Sequence, residues 1–305
     1  GALFDRQAWG GLVTPVGGFL LGRQYTPAYE ILNKYNVMGD QTALHFGQGF
    51  NTLKIRANNS VQYRIELRGF TASLMYGFGG SETLRNERAT SPKTGDDFYG
   101  GNLQYNAEKW GVGIGYNHDY VVPFNTGANP QKKTGLKLLN AGGYVGFGPV
   151  RLYAQYVKRD NDNPILQPAD IQNLVITNST AVLTTLQINS FDIDTMRGLA
   201  GQTHSDAYHL GINWRFGNNT LYGIYNYGKD DGRSAWATAD AKASHYGVAY
   251  FYDLSRRTQL YAAATFVDNS DQSRFSPSAA GYATGWTTAF GEDARSLQMG
   301  IRHNF

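Results

Sequence analysis

The chain has 305 residues, a net charge of +3, 37 glycines, 21 tyrosines, 16 phenylalanines and no cysteine. Its charged fraction of 17% is below the roughly 25% of soluble domains, and no apolar run reaches the roughly 20 residues that a membrane helix needs. These values exclude a disulfide scaffold and a cysteine metal site, and they argue against a helical membrane protein and against a nucleic-acid partner.

Most of the chain consists of segments in which apolar and polar side chains alternate. This alternation is the pattern of a β-strand whose two faces meet different surroundings. Helical periodicity is scarce, and its best candidate is the short stretch from Pro27 to Tyr35. The predicted strands cover residues 2–12, 18–25, 58–67, 70–79, 97–107, 109–119, 138–147, 149–159, 206–216, 219–229, 243–254, 257–268 and 295–305.

The connections between these strands alternate between short turns and long loops. The long loops cover residues 26–57, 80–96, 120–137, 160–205, 230–242 and 269–294. Outer-membrane barrels keep this rhythm, with short turns on the periplasmic side and longer loops outside. The sequence therefore predicts an all-β fold, an antiparallel transmembrane β-barrel.

The last predicted strand has the character of a membrane strand. Leu297, Met299 and Ile301 share one face, and the chain ends on the aromatic Phe305. Soluble domains rarely end in this way because termini fray into water, whereas the last strand of a barrel is hydrogen-bonded on both sides.

The direction of the strands bears on how many there are. The chain ends on the short-turn side, but its first predicted strand starts on the long-loop side. Because single-chain barrels have even strand numbers with both termini on the periplasmic side, we expect an odd number of strands before Gly1. Residues 1–305 are thus predicted to form one β-barrel domain that is incomplete at its N-terminus.

Four motifs follow one another along the chain: Leu3–Trp9, Leu21–Tyr25, Ile55–Tyr63 and Gly300–Phe305. In this order and spacing they resemble the trimeric general porins of the Gram-negative outer membrane, in the branch typical of β-proteobacteria. The resemblance implies sixteen strands, of which this chain holds thirteen, and an integral outer-membrane location. It also implies a homotrimer surrounded by outer-membrane lipid and lipopolysaccharide, through which ions and small hydrophilic solutes diffuse passively without catalysis or a cofactor.

The resemblance places a constriction loop, folded into the lumen, at residues 26–57. Charged rings at such a narrowing select ions by sign. On the facing wall the family carries a ladder of arginines, and Arg6 and Arg56 stand at the matching positions. Further candidates for this ladder, with lower weight, are Arg23, Arg64, Arg151 and Arg159.

The acids of the loop are Asp40 and Glu30. Asp40 falls near one of the two usual loop acids, whereas Asn36 stands in place of the other. Fewer carboxylates than guanidiniums leave a net positive field at the narrowing, which acts over a Debye length of about 8 Å, so we predict a preference for anions. Two alternatives stay open: Asp40 equally caps a turn before Gln41, and Glu30 is more simply explained as a surface charge of the loop.

Phe305 resembles the family's terminal aromatic residue, which marks the last strand for the barrel assembly machinery. We expect its replacement by a polar residue to lower the amount of assembled protein.

Three other functions are compatible with parts of the sequence. In a substrate-specific outer-membrane channel, the many tyrosines would stack on sugar solutes. A soluble β-domain or adhesin would account for the predicted strands without a membrane. An outer-membrane hydrolase needs an acid–base or nucleophile cluster, yet no His-Glu-x-x-His or Gly-x-Ser-x-Gly motif occurs. His204 and His209, near Ser205 and Asp206, come closest to a cluster, and we interpret them as solvated loop and strand-edge residues. No catalytic residue, metal site or cofactor is predicted.

Overall fold

The computed structural model describes residues 7–39, 42–46, 56–78, 97–121, 134–163, 201–230, 241–273, 275–276, 285–286 and 291–304. Its strands are β1 (Ala8–Thr14), β2 (Gly17–Tyr25), β3 (Arg56–Leu67), β4 (Phe70–Phe78), β5 (Asp97–Asn106), β6 (Trp110–Val121), β7 (Thr134–Phe147), β8 (Val150–Asn163), β9 (Gly201–Phe216), β10 (Asn219–Asp230), β11 (Ala241–Asp253), β12 (Thr258–Asn269), β13 (Phe275–Ser276), β14 (Gly285–Trp286) and β15 (Ala294–His303). One helix, α1 (Pro27–Tyr35), follows β2.

The strands form one large antiparallel sheet in chain order. Strands β1 to β12 and then β15 give a 13-stranded sheet, and the short β13 pairs with β14 separately. Helix α1 contacts β4, β5, β6, β7 and β8. The sheet therefore curves around an interior that α1 occupies, and the fold is all-β, as predicted.

Tight hairpins join the strands at one end of the sheet. Arg68 and Gly69 form a two-residue turn with φ angles of 47° and 88°, the positive values that suit the twist of a hairpin. Gly148 and Gly217, in two other hairpins, both have φ of 58°. This end is called the short-turn side below.

The two faces of the sheet differ in polarity. On β15 the alternating Leu297, Met299 and Ile301 are exposed by 69%, 72% and 69% on the outer face, as their spacing predicted. The inner face carries glycines and polar side chains, among them the buried Gln62, Asn102 and Asn140. Among the described residues, no helix combines the length and the apolar character that a membrane crossing needs.

The elements match the predicted segments, and the largest differences lie at the long-loop ends. The helix has the predicted bounds, Pro27–Tyr35. Strand β8 continues to Asn163 and β9 begins at Gly201, beyond the predicted limits at 159 and 206. Backbone pairing needs no apolar side chains, so the ladder extends into polar sequence in which the alternation is lost. The predicted loop 269–294 contains the short strands β13 and β14.

Candidate functional site

Helix α1 lies against the inner face of the sheet with its apolar side toward the wall. Ala28, Tyr29, Ile31, Leu32 and Tyr35 are buried. The helix begins with Pro at its first position, where a missing N–H has no cost. Glu30 in its first turn and Lys34 in its last turn complement the helix dipole.

Glycines on the wall make room for this helix. A Cβ atom added at Gly113 would lie 2.7 Å from the Tyr35 ring, and one at Gly115 would lie 2.9 Å from Cα of Ala28. At Gly142 it would lie 2.9 Å from Cβ of Tyr35. Because the contact at Gly115 is to helix backbone, it cannot be relieved by a side-chain rotation.

Amide side chains on the wall bind the backbone of the helix. Asn102 donates to the Pro27 carbonyl at 3.2 Å, and the Ala28 N–H donates to Asn117 Oδ1 at 3.1 Å. Further along, Gln155 Nε2 donates to the carbonyls of Ile31 and Leu32 at 3.1 and 3.2 Å. Backbone groups at helix ends lack partners within the helix, so these bonds fix the helix in one place on the wall.

The chain after the helix continues across the inner face. The Val37 N–H donates to Nε2 of His209 on β9 at 3.3 Å, and the ring of Phe46 stacks on His209 at 5.2 Å. The Ala43 N–H donates to Oε1 of Gln298 on β15 at 3.0 Å. Residues 27–39 and 42–46 are therefore tied to strands from β5 to β15, so this described part of the loop lies against the inner face.

A cluster of four charges lies where α1 meets β3. The Arg64 guanidinium donates to Glu30 at 2.9 Å and to Glu66 at 2.7 Å. Glu30 also accepts from Asn102 Nδ2 at 2.8 Å. Glu30 is thus held by the wall, and it is not the simple surface charge of a loop.

Lys34, one helical turn after Glu30, completes this charged cluster. Burial, together with the neighbouring positive charge of Arg64, lowers the pKa of Lys34 below its usual range, against the opposing effect of Glu66 and Glu30. The cluster of Glu30, Lys34, Arg64 and Glu66 contains two acids and two bases, so it is electrically balanced while Lys34 is protonated.

Tyr35 fixes the other end of the helix. Its hydroxyl donates to Oδ1 of Asn106 at 3.3 Å. Burial raises the pKa of Tyr35 to about 12, so the hydroxyl stays protonated and neutral at physiological pH and continues to donate.

Arg56 reaches the same helix through an aromatic contact. Its guanidinium lies 5.3 Å from the centre of the Tyr25 ring, within the range of a cation–π contact. Tyr25 in turn packs on Tyr29 of α1 with ring centres 4.9 Å apart. Arg56 is thus linked to Tyr29 through Tyr25, and Arg64 binds the next helix residue, Glu30.

The other predicted site residues lie elsewhere. Arg23 donates to Oδ1 of Asn58 beside an irregularity in the pairing of β2 with β3. Arg159 is buried on the inner face, and Arg151 lies 4.6 Å from the centre of the Tyr144 ring. Arg6, Asp40 and Phe305 lie outside the described residues.

Asn36, which stands in place of a usual loop acid, is used by its own turn. Its Nδ2 donates to the Gly39 carbonyl at 3.2 Å, and its Oδ1 accepts from the Met38 N–H at 3.4 Å. Gly39 has a φ of 56°, which a glycine adopts easily. Asn36 therefore shapes the chain after the helix.

A sequence profile of Gram-negative porins matches residues 1–272. The chain belongs to the Gram-negative porin family. This porin is an integral protein of the bacterial outer membrane, a channel built from β-strands.

Relatives of this porin cover almost the whole chain. Outer membrane porin protein 32 of Delftia acidovorans is 24% identical over 315 residues, which are 99% of this chain and 74% of that protein. The solved anion-selective porin from Comamonas acidovorans has a TM-score of 0.67 and 23% identity, covering 99% of this chain and 78% of that one. The trimer form of OmpT from Vibrio cholerae has a TM-score of 0.63 and 15% identity, covering 99% and 81%. These structures share the fold of this porin.

The wall residues that hold the loop were not predicted from the sequence. Asn102 and Gln298 share their strand faces with Gly100 and Gly300, and Gln155 stands opposite Gly142. A polar side chain beside a glycine is the signal that marks a wall packed against backbone. The interpretation of His209 as a solvated residue was wrong, because its ring is 1% exposed and binds the loop. His204 instead pairs with Asp160 at 2.8 Å.

Proposed function

We propose that this porin is a passive diffusion pore for small hydrophilic solutes with a preference for anions, and that residues 26–57 form its constriction. The observation that carries this proposal is the position of α1, bonded by wall amides across the interior and paired with Arg64. A helix fixed in this way narrows the lumen permanently, and charges at a narrowing act on every ion that passes.

The proposed anion preference has its source in the wall. The charged cluster at α1 is balanced, and the inner face of the strands adds Arg151 at the short-turn end of β8. Arg56 adds a further positive charge near Tyr29. The solved relative from Comamonas acidovorans is named an anion-selective porin, which supports the same direction.

The test is the reversal potential of the full-length protein in a planar bilayer under a KCl gradient. A stepwise conductance with a reversal potential toward that of chloride supports the proposal. A reversal potential toward that of potassium would contradict the anion preference and leave the pore intact.

Arg6 and Asp40 enter the proposal as predictions from the sequence. We place Arg6 with Arg56 and Arg64 in the basic ladder, Arg23 as a weaker member, and Asp40 with Glu30 among the facing acids. Substituting Arg6 by Gln should shift the reversal potential toward potassium, and substituting Asp40 by Asn should shift it toward chloride.

We further propose that three copies assemble, as in the trimer form of OmpT, and that Phe305 directs the last strand to the barrel assembly machinery. The mass of the detergent-solubilised, unheated protein tests the trimer. A lower yield of that species with Phe305→Ser tests the terminal signal.

Lipopolysaccharide is the proposed lipid partner, at a row of three lysines and one aspartate on the outer face. Lys158, Asp206, Lys229 and Lys242 stand opposite one another on four adjacent strands near the long loops. Asp206 accepts from the Tyr156 hydroxyl at 2.5 Å, and the three lysines are exposed. A positive row above a tyrosine-rich band suits a phosphorylated head group with its chains along the apolar wall.

The lipid proposal is tested by the amount of lipopolysaccharide that copurifies with the trimer. We expect Lys229→Ser with Lys242→Ser to lower it, and Lys109→Ser, at an exposed position on the short-turn side, to leave it unchanged. Equal amounts in all three proteins would contradict the assignment of this row.

We propose that solutes pass without chemical change. The nearest approach to a catalytic cluster, His204 and His209, is divided by the sheet because an odd spacing on β9 puts the two side chains on opposite faces. Hydrolysis of an ester or peptide by the purified protein, abolished at His204 or His209, would contradict this proposal.

A further inference from the structure

Three histidines meet where the chain after α1 crosses the inner face of β9, β10 and β11. His209 lies on β9 and His245 on β11, with Asn226 of β10 between them. His45, in the chain after α1, lies close enough to both rings to interact with them electrostatically. His209, Asn226 and His245 are 1%, 0% and 4% exposed, so their polar atoms depend on partners within the protein.

A series of hydrogen bonds, called the histidine relay below, runs from Val37 through His209 and Asn226 to His245. The Val37 N–H donates to Nε2 of His209 at 3.3 Å. Nδ1 of His209 lies 2.6 Å from Oδ1 of Asn226, and Nδ2 of Asn226 lies 3.2 Å from Nδ1 of His245. Because a backbone N–H can only donate, Nε2 of His209 accepts, and the neutral ring carries its proton on Nδ1. His209 therefore donates to Asn226, and Asn226 donates to His245.

A proton added to either ring of the relay breaks the bond to Val37. On His209 the new proton lies on Nε2, so that two N–H donors face each other. On His245 it lies on Nδ1 and faces the NH₂ group of Asn226. If that amide turns over to accept it, the NH₂ group faces Nδ1 of His209, whose proton must then move to Nε2. The relay therefore holds Val37 only while both rings are neutral.

The surroundings of the relay offer no compensating charge. Among the described residues no carboxylate interacts with His209 or His245, and the titratable groups beside them are His45 and the rings themselves. An imidazolium here would be a buried charge without a counter-ion, which is costly. The other residues that face the two rings are uncharged: Gln155 of β8, Asn226 of β10, Val267 of β12, and Val37 and Phe46 of the chain after α1.

Val37 lies too close to the wall to adjust to a second donor. A Cβ atom added at Gly211 would lie 2.7 Å from Cβ of Val37 and 2.9 Å from Nε2 of His209. The ring of Phe46, stacked on His209 at 5.2 Å, suits either charge state because an aromatic face attracts a cation. The contact that changes from attraction to repulsion on protonation is therefore the one at Val37.

We propose that His209 is a positioning residue of the constriction, and that acid releases the chain at Val37 from the wall by protonating the histidine relay. The neutral relay holds this chain against β9. The protonated relay repels the Val37 N–H, so the chain leaves Gly211 and moves into the lumen. This inference rests on the proposed constriction by residues 26–57 and adds its regulation by pH.

Hydrogen exchange of the Val37 amide in the full-length, detergent-solubilised protein tests the release. Exchange is measured from about pH 7 to about pH 3, a range that extends below the usual titration of histidine, and is corrected for the intrinsic effect of pH on amides. The Ala28 N–H, bonded to the neutral amide of Asn117, is the internal reference. We expect acid to speed exchange at Val37 about two- to tenfold relative to Ala28, the factor for losing one hydrogen bond. An equal effect of acid on both amides would overturn the proposal.

His209→Gln separates the charge from the contact. Its Oε1 can accept from Val37 and its Nε2 can donate to Asn226, which is the polarity of the neutral histidine without a titrating group. We expect exchange like that of the parent at neutral pH and no acceleration in acid. His204→Gln, on the outer face of the same strand, is the matched control and should keep the acid response. An acid response that survives in His209→Gln would overturn the proposal.

Asn226→Asp gives the reverse test if His209→Gln does not fold. A carboxylate beside Nδ1 of His209 stabilises the imidazolium, so Val37 should be released at a higher pH than in the parent. Release at the same pH in both proteins would contradict the relay.

Single-channel currents over the same pH range separate this inference from the proposed constriction. The released chain should increase the current fluctuations of the parent in acid and leave those of His209→Gln unchanged. Faster exchange at Val37 with a steady current would retain the release and overturn the constriction at this segment. Unchanged exchange in a stepwise, chloride-selective channel would overturn the release and retain the pore.

Discussion

In the proposed constriction, Arg64 and Glu30 are the residues through which single substitutions should change the field. They are 34 positions apart in the sequence, and the inward fold of the loop brings them to 2.9 Å. Each is about a quarter exposed, so water screens the pair and its contribution to stability is small. If this pair lies at the constriction as proposed, removal of either partner changes the net charge beside the solute path by one unit, and we expect that effect on ions to exceed the effect on stability.

Arg64→Gln and Glu30→Gln should shift ion selectivity in opposite directions. A unit charge about 8 Å from an ion in water contributes about 0.5 kcal/mol, with opposite signs for chloride and potassium, so the ratio of their permeabilities changes by about 1 kcal/mol, roughly fivefold. Arg64→Gln should lower the chloride-to-potassium permeability ratio by about that factor, and Glu30→Gln should raise it. The measurement is the reversal potential in a KCl gradient, and a shift in the same direction for both variants would contradict the assignment.

In the proposed constriction, Lys34 should make the field dependent on pH. Its pKa is lowered by burial and by Arg64, so it loses its charge at a lower pH than an exposed lysine does. Anion preference should therefore decline as the pH rises through this lowered pKa, while Glu30 and Glu66 stay ionised. Lys34→Arg, whose guanidinium stays protonated, should abolish the decline measured between pH 7 and 10.5, and a persistent decline would point to another group.

The lowered pKa of Lys34 also predicts how the stability of the folded protein changes with pH. Below the lowered pKa the folded and unfolded forms both hold the proton, so pH has no effect through this group. Between the lowered pKa and the usual value of 10.5 the unfolded form binds more protons, so stability should rise with pH in that window.

At the scale of elements, the contacts between α1 and the inner face of the sheet explain why the helix stays in the interior. The helix is nine residues long, a length that is marginal in isolation. Its burial against wall glycines and its bonds to Asn102, Asn117 and Gln155 supply what local propensity lacks. In the proposed constriction, the width of the pore therefore depends on the contact between α1 and the wall.

Gly115→Ala should weaken the packing of α1 against the wall. The added methyl group meets helix backbone at 2.9 Å, and such overpacking costs about 1–3 kcal/mol. We expect a higher or a fluctuating single-channel conductance as the helix moves off the wall. Gly10→Ala, on a strand where nothing lies within 4 Å of the added Cβ, is the matched control and should conduct as the parent does. Identical conductance of the parent and Gly115→Ala would show that the helix does not limit the current.

The element scale also shows how far sequence patterns reach. The bounds of α1 and the centres of the strands follow from periodicity, since side-chain direction repeats every two residues in a strand and every 3.6 in a helix. The buried state of His209 did not follow, because its partner, the Val37 N–H, is 172 positions away and no local pattern shows that the loop reaches it.

At the scale of the whole molecule, the sheet separates two environments. The outer face presents exposed apolar residues such as Leu210, Val248 and Met299, while the inner face holds the polar wall of the channel. An apolar surface of this extent on the isolated chain is normal only in a protein whose outer face is covered by lipid in the membrane.

Met299→Lys and Ser296→Lys, three positions apart on β15, should therefore behave differently. Met299 is 72% exposed on the outer face, where a lysine costs up to about 2–4 kcal/mol depending on depth. Ser296 stands opposite Thr265 of the inner face, where a lysine meets water. The fraction of folded, heat-modifiable protein should fall for Met299→Lys and stay unchanged for Ser296→Lys. The opposite result would show that the two faces are assigned the wrong way round.

The sequence by itself determined the all-β class, the alternation of faces, the rhythm of short and long connections and the short helix, because each follows from side chains a few residues apart. Only the tertiary structure decided which wall residues meet the loop. The contact of Ala43 with Gln298 joins positions 255 residues apart, and no local period encodes it. Polar wall residues of similar chemistry become loop anchors or lumen lining according to where the inward fold places the helix, and that placement depends on the packing of the whole barrel.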